Sequence, residues 1–305
     1  MPGDIRLMDG IVTARDATRA DAPTLRAIWK SAFEDEDAEI SDFFDSFGGR
    51  VVSVVAELRG EPIAAGHMAP AGDLVSPEGA RTPCAMLYAI AALPKSRGLG
   101  GGGGVTRALT SRAAEMGYAS AVLRPSDDSL FDYYNKRAGF REWFYACESR
   151  FHARELPRGA EAAARRVTPA EYGEMRERLL RGVTHIGAGG GALEYQRRLC
   201  ERAGGGLFEI GADGLAACAT AVRTDGGALS VKELLMPPDA PPSCAALCVA
   251  ALAARLPAEV IDVCAPARRG AVGTVARRFG MLRVTSGAQT PGMTRPGGWY
   301  GFAFD

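Results

Sequence analysis

Apolar positions along the chain fall into alternating runs and helical faces whose order predicts a layered α/β protein. An alternating strand at Ile11–Arg15 leads into a helix from about Asp21. There Leu25, Ile28, Trp29 and Phe33 recur at the spacing of one helical face. The segment ISDFFDSFGG predicts a second helix, closed by Gly48 and Gly49. RVVSVVAEL and PIAAGHMAPAG flank the turn RGEP and predict a hairpin. CAMLYAIAAL is apolar almost throughout, the pattern of a central strand covered on both faces, and stops at Pro94. A glycine-dense loop, KSRGLGGGGG, precedes a helix from about Gly103 to Met116, with Gly117 as its cap. A strand (YASAVLRP), a short helix (DDSLFDYYNKRAG) and a returning strand (FREWFYACESRFHA) follow.

The polar stretch ELPRGAEAAARR marks a linker, which predicts domains at 1–155 and 165–305. Beyond it the same broad order returns. TPAEYGEMRERLL and ALEYQRRLCERAG read as helices, followed by three strands joined by ADG and TDGG turns. PPSCAALCVAALAARL reads as a helix, AEVIDVCAPA as a strand, GTVARRFG as a short helix and MLRVTS as the start of a strand. The pattern is a duplicated fold without repeated sequence.

Charge narrows the function classes. Lysine plus arginine and aspartate plus glutamate both number 36, a balance that argues against a dedicated nucleic-acid binder. The opening MPGDIRLMDG has no apolar core of a signal peptide, and no apolar run is long enough to span a bilayer. The expectation is a cytoplasmic protein without a membrane partner. Seven cysteines in mostly apolar surroundings read as buried free thiols. Cys244 and Cys248 share a helical face without a second pair, and histidines number only three, so no metal site is expected.

The candidate chemistry sits in Arg97-Gly98-Leu99-Gly100-Gly101-Gly102, between a buried strand and a helix. Glycines admit sharp turns and close ligand approach, and the helix start offers unpaired amides with a partial positive charge. That combination suits a pyrophosphate, with Arg97 adding a charge-assisted contact. A P-loop would need Lys and then Ser or Thr after the last glycine, but Gly104 is followed by Val105 and Thr106. A dinucleotide fingerprint would follow the first strand and meet an acidic residue after the next, but AVLRP ends in Arg124-Pro125. An acyl-CoA site and a ligand-free glycine turn remain.

From Tyr88 to Phe140 the chain resembles the cofactor-binding core of the GNAT superfamily of N-acyltransferases. Arg97, Gly100 and Gly102 match its loop pattern, and Tyr133-Tyr134…Gly139-Phe140 resembles its downstream aromatic element. The resemblance implies that amides of Leu99, Gly100, Gly101, Gly102, Gly103 and Gly104, in a loop opened by Arg97 and Gly98, hold the pyrophosphate of acetyl-CoA. It implies that the strand including Ile90, Ala91 and Ala92 pairs with the pantetheine arm. The family has three residues between its tyrosine and glycine, whereas Tyr134 is followed by four. Over nearly its full length the chain is similar to two-domain bacterial acetyltransferases related to the enhanced-intracellular-survival enzymes, through VKELL, RRFGM and an aromatic tail ending in Asp305. That likeness implies a degenerate second GNAT-like domain and one cofactor per chain. Prolines in MPPDAPPSCAAL remove amide donors a phosphate would need.

The implied reaction is direct transfer of acetyl from acetyl-CoA to a primary amine, on a small molecule or a protein. It needs a neutral amine, a stabilised oxyanion and a proton for the leaving thiolate. Tyr134 is the candidate acid, with Tyr133 its alternate. The base is Asp305 or a water relay, and a backbone amide near Ala91 or Ala92 is the oxyanion donor. His67 lies on a hairpin strand, where a structural role is the simpler reading. Tyr88, Trp29 and Phe33 are candidates for the acceptor side, and Trp299 and Tyr300 either close that pocket or anchor the tail. A longer acyl donor and a non-catalytic acyl-CoA sensor or scaffold are the competing functions. Homo-oligomerisation stays open.

Overall fold

The computed structural model describes residues 5–7, 10–158, 162–212, 214–267, 276–285, 296–302 and 304, with side chains from residue 12 onward. In chain order the elements are β1 (Ile5–Leu7), β2 (Gly10–Asp16), α1 (Ala22–Phe33), α2 (Asp37–Phe47), β3 (Val52–Leu58), β4 (Glu61–Val75), β5 (Arg81–Ala92), α3 (Gly101–Glu115), β6 (Ser120–Leu123) and α4 (Ser129–Ala138). Then come β7 (Arg141–His152), β8 (Ala162–Arg166), α5 (Pro169–Leu179), β9 (His185–Ala188), α6 (Gly190–Arg202), β10 (Gly206–Ala212), β11 (Leu215–Arg223), β12 (Leu229–Leu235), α7 (Cys244–Arg255), β13 (Val260–Pro266) and β14 (Ala276–Val284).

Two compact units emerge, and neither is a continuous half of the chain. The first comprises Met1–Asp73, Thr82–Glu142 and Met281–Thr290, and the second Leu74–Arg81, Trp143–Gly280 and Pro291–Asp305. In the first unit the strands run β1-β2-β3-β4-β5-β6, and Met281–Val284 lies antiparallel to β6. Its core joins Val54, Ala64 and Leu87 on the sheet to Val105, Leu109 and Ala113 on α3, the inner face expected of that helix. On α1, Leu25 and Ile28 pack with Val55, Ala65 and Ala91.

The second unit repeats the order of strand, two helices, three strands, helix and strand, with the short β9 inserted between its two helices. Its sheet runs β8-β10-β11-β12-β13-β7, with β12 and β13 parallel as β5 and β6 are in the first. Leu234, Val249, Leu252 and Ile261 fill its core. The mixed sheet and duplicated order are those the sequence predicts.

Three details differ. The expected linker contains β8, an edge strand pairing with β10 from Phe208↔Arg166 to Ala212↔Ala162. It lacks an apolar alternation because most of its side chains face solvent. Ala276–Gly280, expected in a short helix, belongs to β14. Arg277 and Arg278 there imitate an exposed helix face, while pairing partners distant in sequence decide the state. Finally, α3 begins at Gly101 rather than near Gly103, so the glycines form its first turn.

Candidate active site

The first unit contains a forked pair of parallel strands. β5 and β6 are in register through Cys84↔Ser120, Ala85↔Ala121 and Met86↔Val122. β6 ends at Leu123, whereas β5 runs on to Ala92. Ala89, three residues past the last pair, has φ +48°, a conformation that costs an L-residue about 1–2 kcal/mol. Strain at this point suits a site that needs the strands apart. The β5 backbone from Leu87 to Ala92 therefore continues without β6 partners among the described residues. Side chains alternate along it. Ile90 packs toward the α3 side, and Ala91 packs with Leu25 and Ile28 of α1.

At the end of β5 the Leu93 amide donates to the Ile63 carbonyl at 2.9 Å, and Pro94–Ser96 make one tight turn. Gly98 and Gly100 follow with φ of +82° and +87°, where a side chain would be strained. Arg97 and Leu99 are exposed. The Gly104 amide donates to the Gly100 carbonyl at 3.0 Å, the first closing bond of α3. The amides of Gly101, Gly102 and Gly103 precede that bond and have no acceptor within the helix.

Each helical glycine costs about 1 kcal/mol relative to alanine, so the run needs a reason. A β-carbon on Gly101 would stand 2.9 Å from Ala64 Cβ and 3.0 Å from Ile63 Cδ1, so the helix start is pressed onto β4. On Gly102 it would stand 3.0 Å from the Tyr133 hydroxyl. At Gly104 the nearest atoms are 4.0 Å away, and packing does not require glycine. A helix start with small residues and available amides fits a diphosphate. The matching turn before α7 does not. There the Cys244, Ala245 and Ala246 amides donate to the carbonyls of Pro241, Pro242 and Ser243 at 3.0, 3.2 and 3.2 Å.

The two tyrosines of α4 part company. Tyr134 is buried in the cluster containing Leu87 of β5 and Leu123 of β6, edge-on to Phe140. Burial, with Tyr133 and Asp127 nearby, pushes its phenol well above the usual range, so it stays protonated. Tyr133 is half-buried and reaches the first turn of α3 instead. The added residue before Gly139 is absorbed by the end of α4, where the Asn135 side chain donates to the Phe140 carbonyl at 2.9 Å.

Across β5 lies an aromatic group. Trp29 packs against Phe43 at 5.4 Å, His67 at 4.9 Å and Tyr88 at 5.5 Å, and Phe43 stacks on Tyr88 at 5.1 Å. His67 is buried, shares a 2.7 Å hydrogen bond with the Ser53 hydroxyl, and is held neutral, its pKa lowered by burial to about 3. This is the structural role. Phe33 is exposed. The sequence reading missed Asp35, in the turn between α1 and α2, which accepts from the Trp29 indole at 2.7 Å. Burial and Glu39 raise its pKa, against the indole bond. Its only sequence signal was its place in an acidic run.

The tail belongs to the second unit. Trp299 and Tyr300 are buried there, and the Trp299 backbone bonds to Thr184 and Ile186. The Trp299 indole and Tyr172 hydroxyl both donate to Glu233, and Arg176 joins them. The tail is thus anchored on a buried ion pair. Asp305 lies outside the described residues. All seven cysteines are free and five are buried. Among the described residues no helix is long and apolar enough to cross a membrane.

Residues 15–140 match the acetyltransferase (GNAT) family, so the chain carries a GNAT acetyltransferase domain there. No curated protein matches the chain. A probable N-acyltransferase from Enterococcus faecalis V583 shares its fold at TM-score 0.66 and 14% identity, covering 90% of this chain and 72% of that one. Eis1 from Mycobacterium abscessus aligns at TM-score 0.59 and 17% identity, over 90% of this chain and 74% of that one. A tandem GNAT protein from the clavulanic acid biosynthesis pathway aligns at TM-score 0.56 and 10% identity, over 91% and 100%. At these identities the likeness is one of fold, and the family match supports acyl transfer as the class of chemistry.

Proposed function

We propose that the chain is an acetyl-CoA-dependent N-acetyltransferase acting on a primary amine, with one cofactor site, in the first unit. The observation that carries this reading is the β5/β6 fork, with Ala89 at positive φ, beside a helix start with available amides. When bound, acetyl-CoA supplies an acyl group activated as a thioester. The first-turn amides of α3, with Arg97 beside them, hold the diphosphate. The β5 edge beyond its β6 partners, including Ile90, Ala91 and Ala92, would align the pantetheine arm by backbone bonds, and an amide of that edge would face the developing oxyanion.

Tyr134, protonated and close to the fork residues Leu87 and Leu123, is the proton donor to the leaving thiolate. The amine enters from the α1–α2 side, where Asp35 offers a carboxylate beside the Trp29, Phe43 and Tyr88 rings. Asp305 is retained as a candidate base. The turn before α7, whose amides already donate to backbone carbonyls, supports a second unit without cofactor. One observation favours the non-catalytic alternative: the Tyr134 ring is nearly sealed from solvent. Thiol release from acetyl-CoA across a panel of polyamines, aminoglycosides, amino acids and peptides separates the two. Turnover on any amine supports the enzyme, and cofactor binding without turnover supports a sensor.

A further inference from the structure

Side chains of β5 fall out of step at one residue. Ala85, Leu87, Ile90 and Ala92 all pack in the cluster with Val105 and Leu109 of α3. Tyr88 turns the other way, onto Trp29 and Phe43, and Ala91 and Leu93 pack with Leu25 and Ile28 of α1. A regular strand keeps odd and even positions on opposite faces. Here the odd positions face α3 up to Leu87 and the even ones do so from Ile90. Ala89 is therefore one inserted residue, and it is the residue at φ +48°. An alanine persists in that conformation only where its surroundings fix it.

Beyond the insertion, Ile90 and Ala91 are fixed by the two helices. Before it, Tyr88 is fixed by rings. Phe43 stacks on it at 5.1 Å, Trp29 meets it edge-on at 5.5 Å, and Trp29 and Phe43 meet each other at 5.4 Å. Trp29 is 2% exposed, so its indole N–H needs a partner inside the fold. That partner is Asp35, at 2.7 Å, placed there by the αL turn at Glu34. Without it the indole N–H is left buried and unpaired, and Trp29 turns away from Tyr88 to satisfy it. We infer that Asp35 is a positioning residue for acyl transfer: through the Trp29 indole it locks the rings that hold Tyr88, and so sets the backbone amides after Ala89 against the thioester carbonyl. This rests on the acyl-CoA reading above and is separate from any contact of Asp35 with the amine.

The test is binding of CoA and of acetyl-CoA carrying a 13C label at the acetyl carbonyl, with no amine present, to the full chain and to Asp35→Asn, Asp35→Ala and Phe43→Leu. Calorimetry gives both affinities, and the carbonyl resonance moves downfield when an amide donates to it. Wild type binds acetyl-CoA about fivefold more tightly than CoA, the worth of one net hydrogen bond, and moves the resonance downfield. Asp35→Asn, which still accepts from the indole, keeps both. Asp35→Ala loses the preference and most of the carbonyl shift, while its CoA affinity stays within about twofold of wild type. Phe43→Leu, which leaves Asp35 and Trp29 in place, shows the same loss. An Asp35→Ala or Phe43→Leu protein that keeps preference and shift, an Asp35→Ala protein that loses CoA affinity equally, or an Asp35→Asn protein that fails as Asp35→Ala does, overturns the positioning role. So does a wild type that binds both ligands equally with an unmoved carbonyl resonance, in which case the acyl-CoA reading stands and the positioning role alone falls. Should wild type bind neither ligand while melting cooperatively, the acyl-CoA reading falls and takes the positioning role with it.

Discussion

Glu233 and Arg176 are 0% and 1% exposed at the side chain, and the tail is built onto them. Glu233 accepts from Tyr172 at 2.7 Å, from Arg176 Nε at 3.1 Å to each oxygen, and from the Trp299 indole. Arg176 also donates to the carbonyls of Ile186 at 2.6 Å and Tyr300 at 3.3 Å, and lies over the Phe302 ring at 5.0 Å. Glu233→Gln replaces one acceptor oxygen by an NH2 group facing donors and strands the arginine charge. Breaking one partner of such a buried pair costs about 3–5 kcal/mol. For a unit of this size that lowers Tm by about 6–20 °C.

Replacing both partners removes the stranded charge, so Arg176→Met combined with Glu233→Leu loses less than either single change. Scanning calorimetry with urea melts measures Glu233→Gln, the two singles Arg176→Met and Glu233→Leu, and the double variant. Tryptophan emission reports exposure of Trp299, which is otherwise fully buried. A Glu233→Gln loss under about 1 kcal/mol, or a double variant worse than both singles, would refute the claim that this pair anchors the tail.

Further outcomes follow from the first unit. Gly100→Ala, at φ +87°, lowers stability by about 1–2 kcal/mol and weakens acetyl-CoA binding in calorimetry; an unchanged affinity would detach the turn from the cofactor. His67 has its folded pKa lowered to about 3, below the unfolded value, so its contribution is complete above about pH 6.5 and is lost as pH falls toward 3. Between pH 6.5 and 5 urea stability therefore drops by about 2 kcal/mol more in wild type than in His67→Asn, and equal slopes would contradict this. Tyr134→Phe lowers kcat by about a hundredfold while acetyl-CoA affinity stays within about twofold, and an unchanged kcat would move the acid elsewhere.

Much of the fold was legible because both helical faces and buried strands write their period into the chain. The face of α3 and the Leu25, Ile28 and Trp29 positions of α1 appear as expected, although Phe33 at the end of α1 is exposed, and the apolar run of β5 lies inside its sheet. β8 was not legible, since an edge strand with mostly solvent-facing residues carries no alternation. Nor was Ala276–Gly280 legible as strand, because pairing with a distant partner overrides local pattern. At the site, the glycine run was visible, but its place inside α3 was not. Glycine is a poor helix former, and the packing on Ile63 and Ala64 that recovers the helix is long-range. Tyr133 and Tyr134 diverge because neighbours in a helix are about 100° apart, which shows that they differ but not which of them is buried. The contact between Asp35 and Trp29 follows the αL residue Glu34 at φ +61°, which spacing alone does not encode.

The central claim is that the start of α3 and the open edge of β5 form an acyl-CoA site. Calorimetric titration of the folded, cofactor-free chain with acetyl-CoA tests it most directly. The account predicts one site per chain with a Kd on the order of micromolar, about 8 kcal/mol of binding free energy, weakened by Gly100→Ala. Absence of binding by protein that melts cooperatively, or two equal sites per chain, would contradict it.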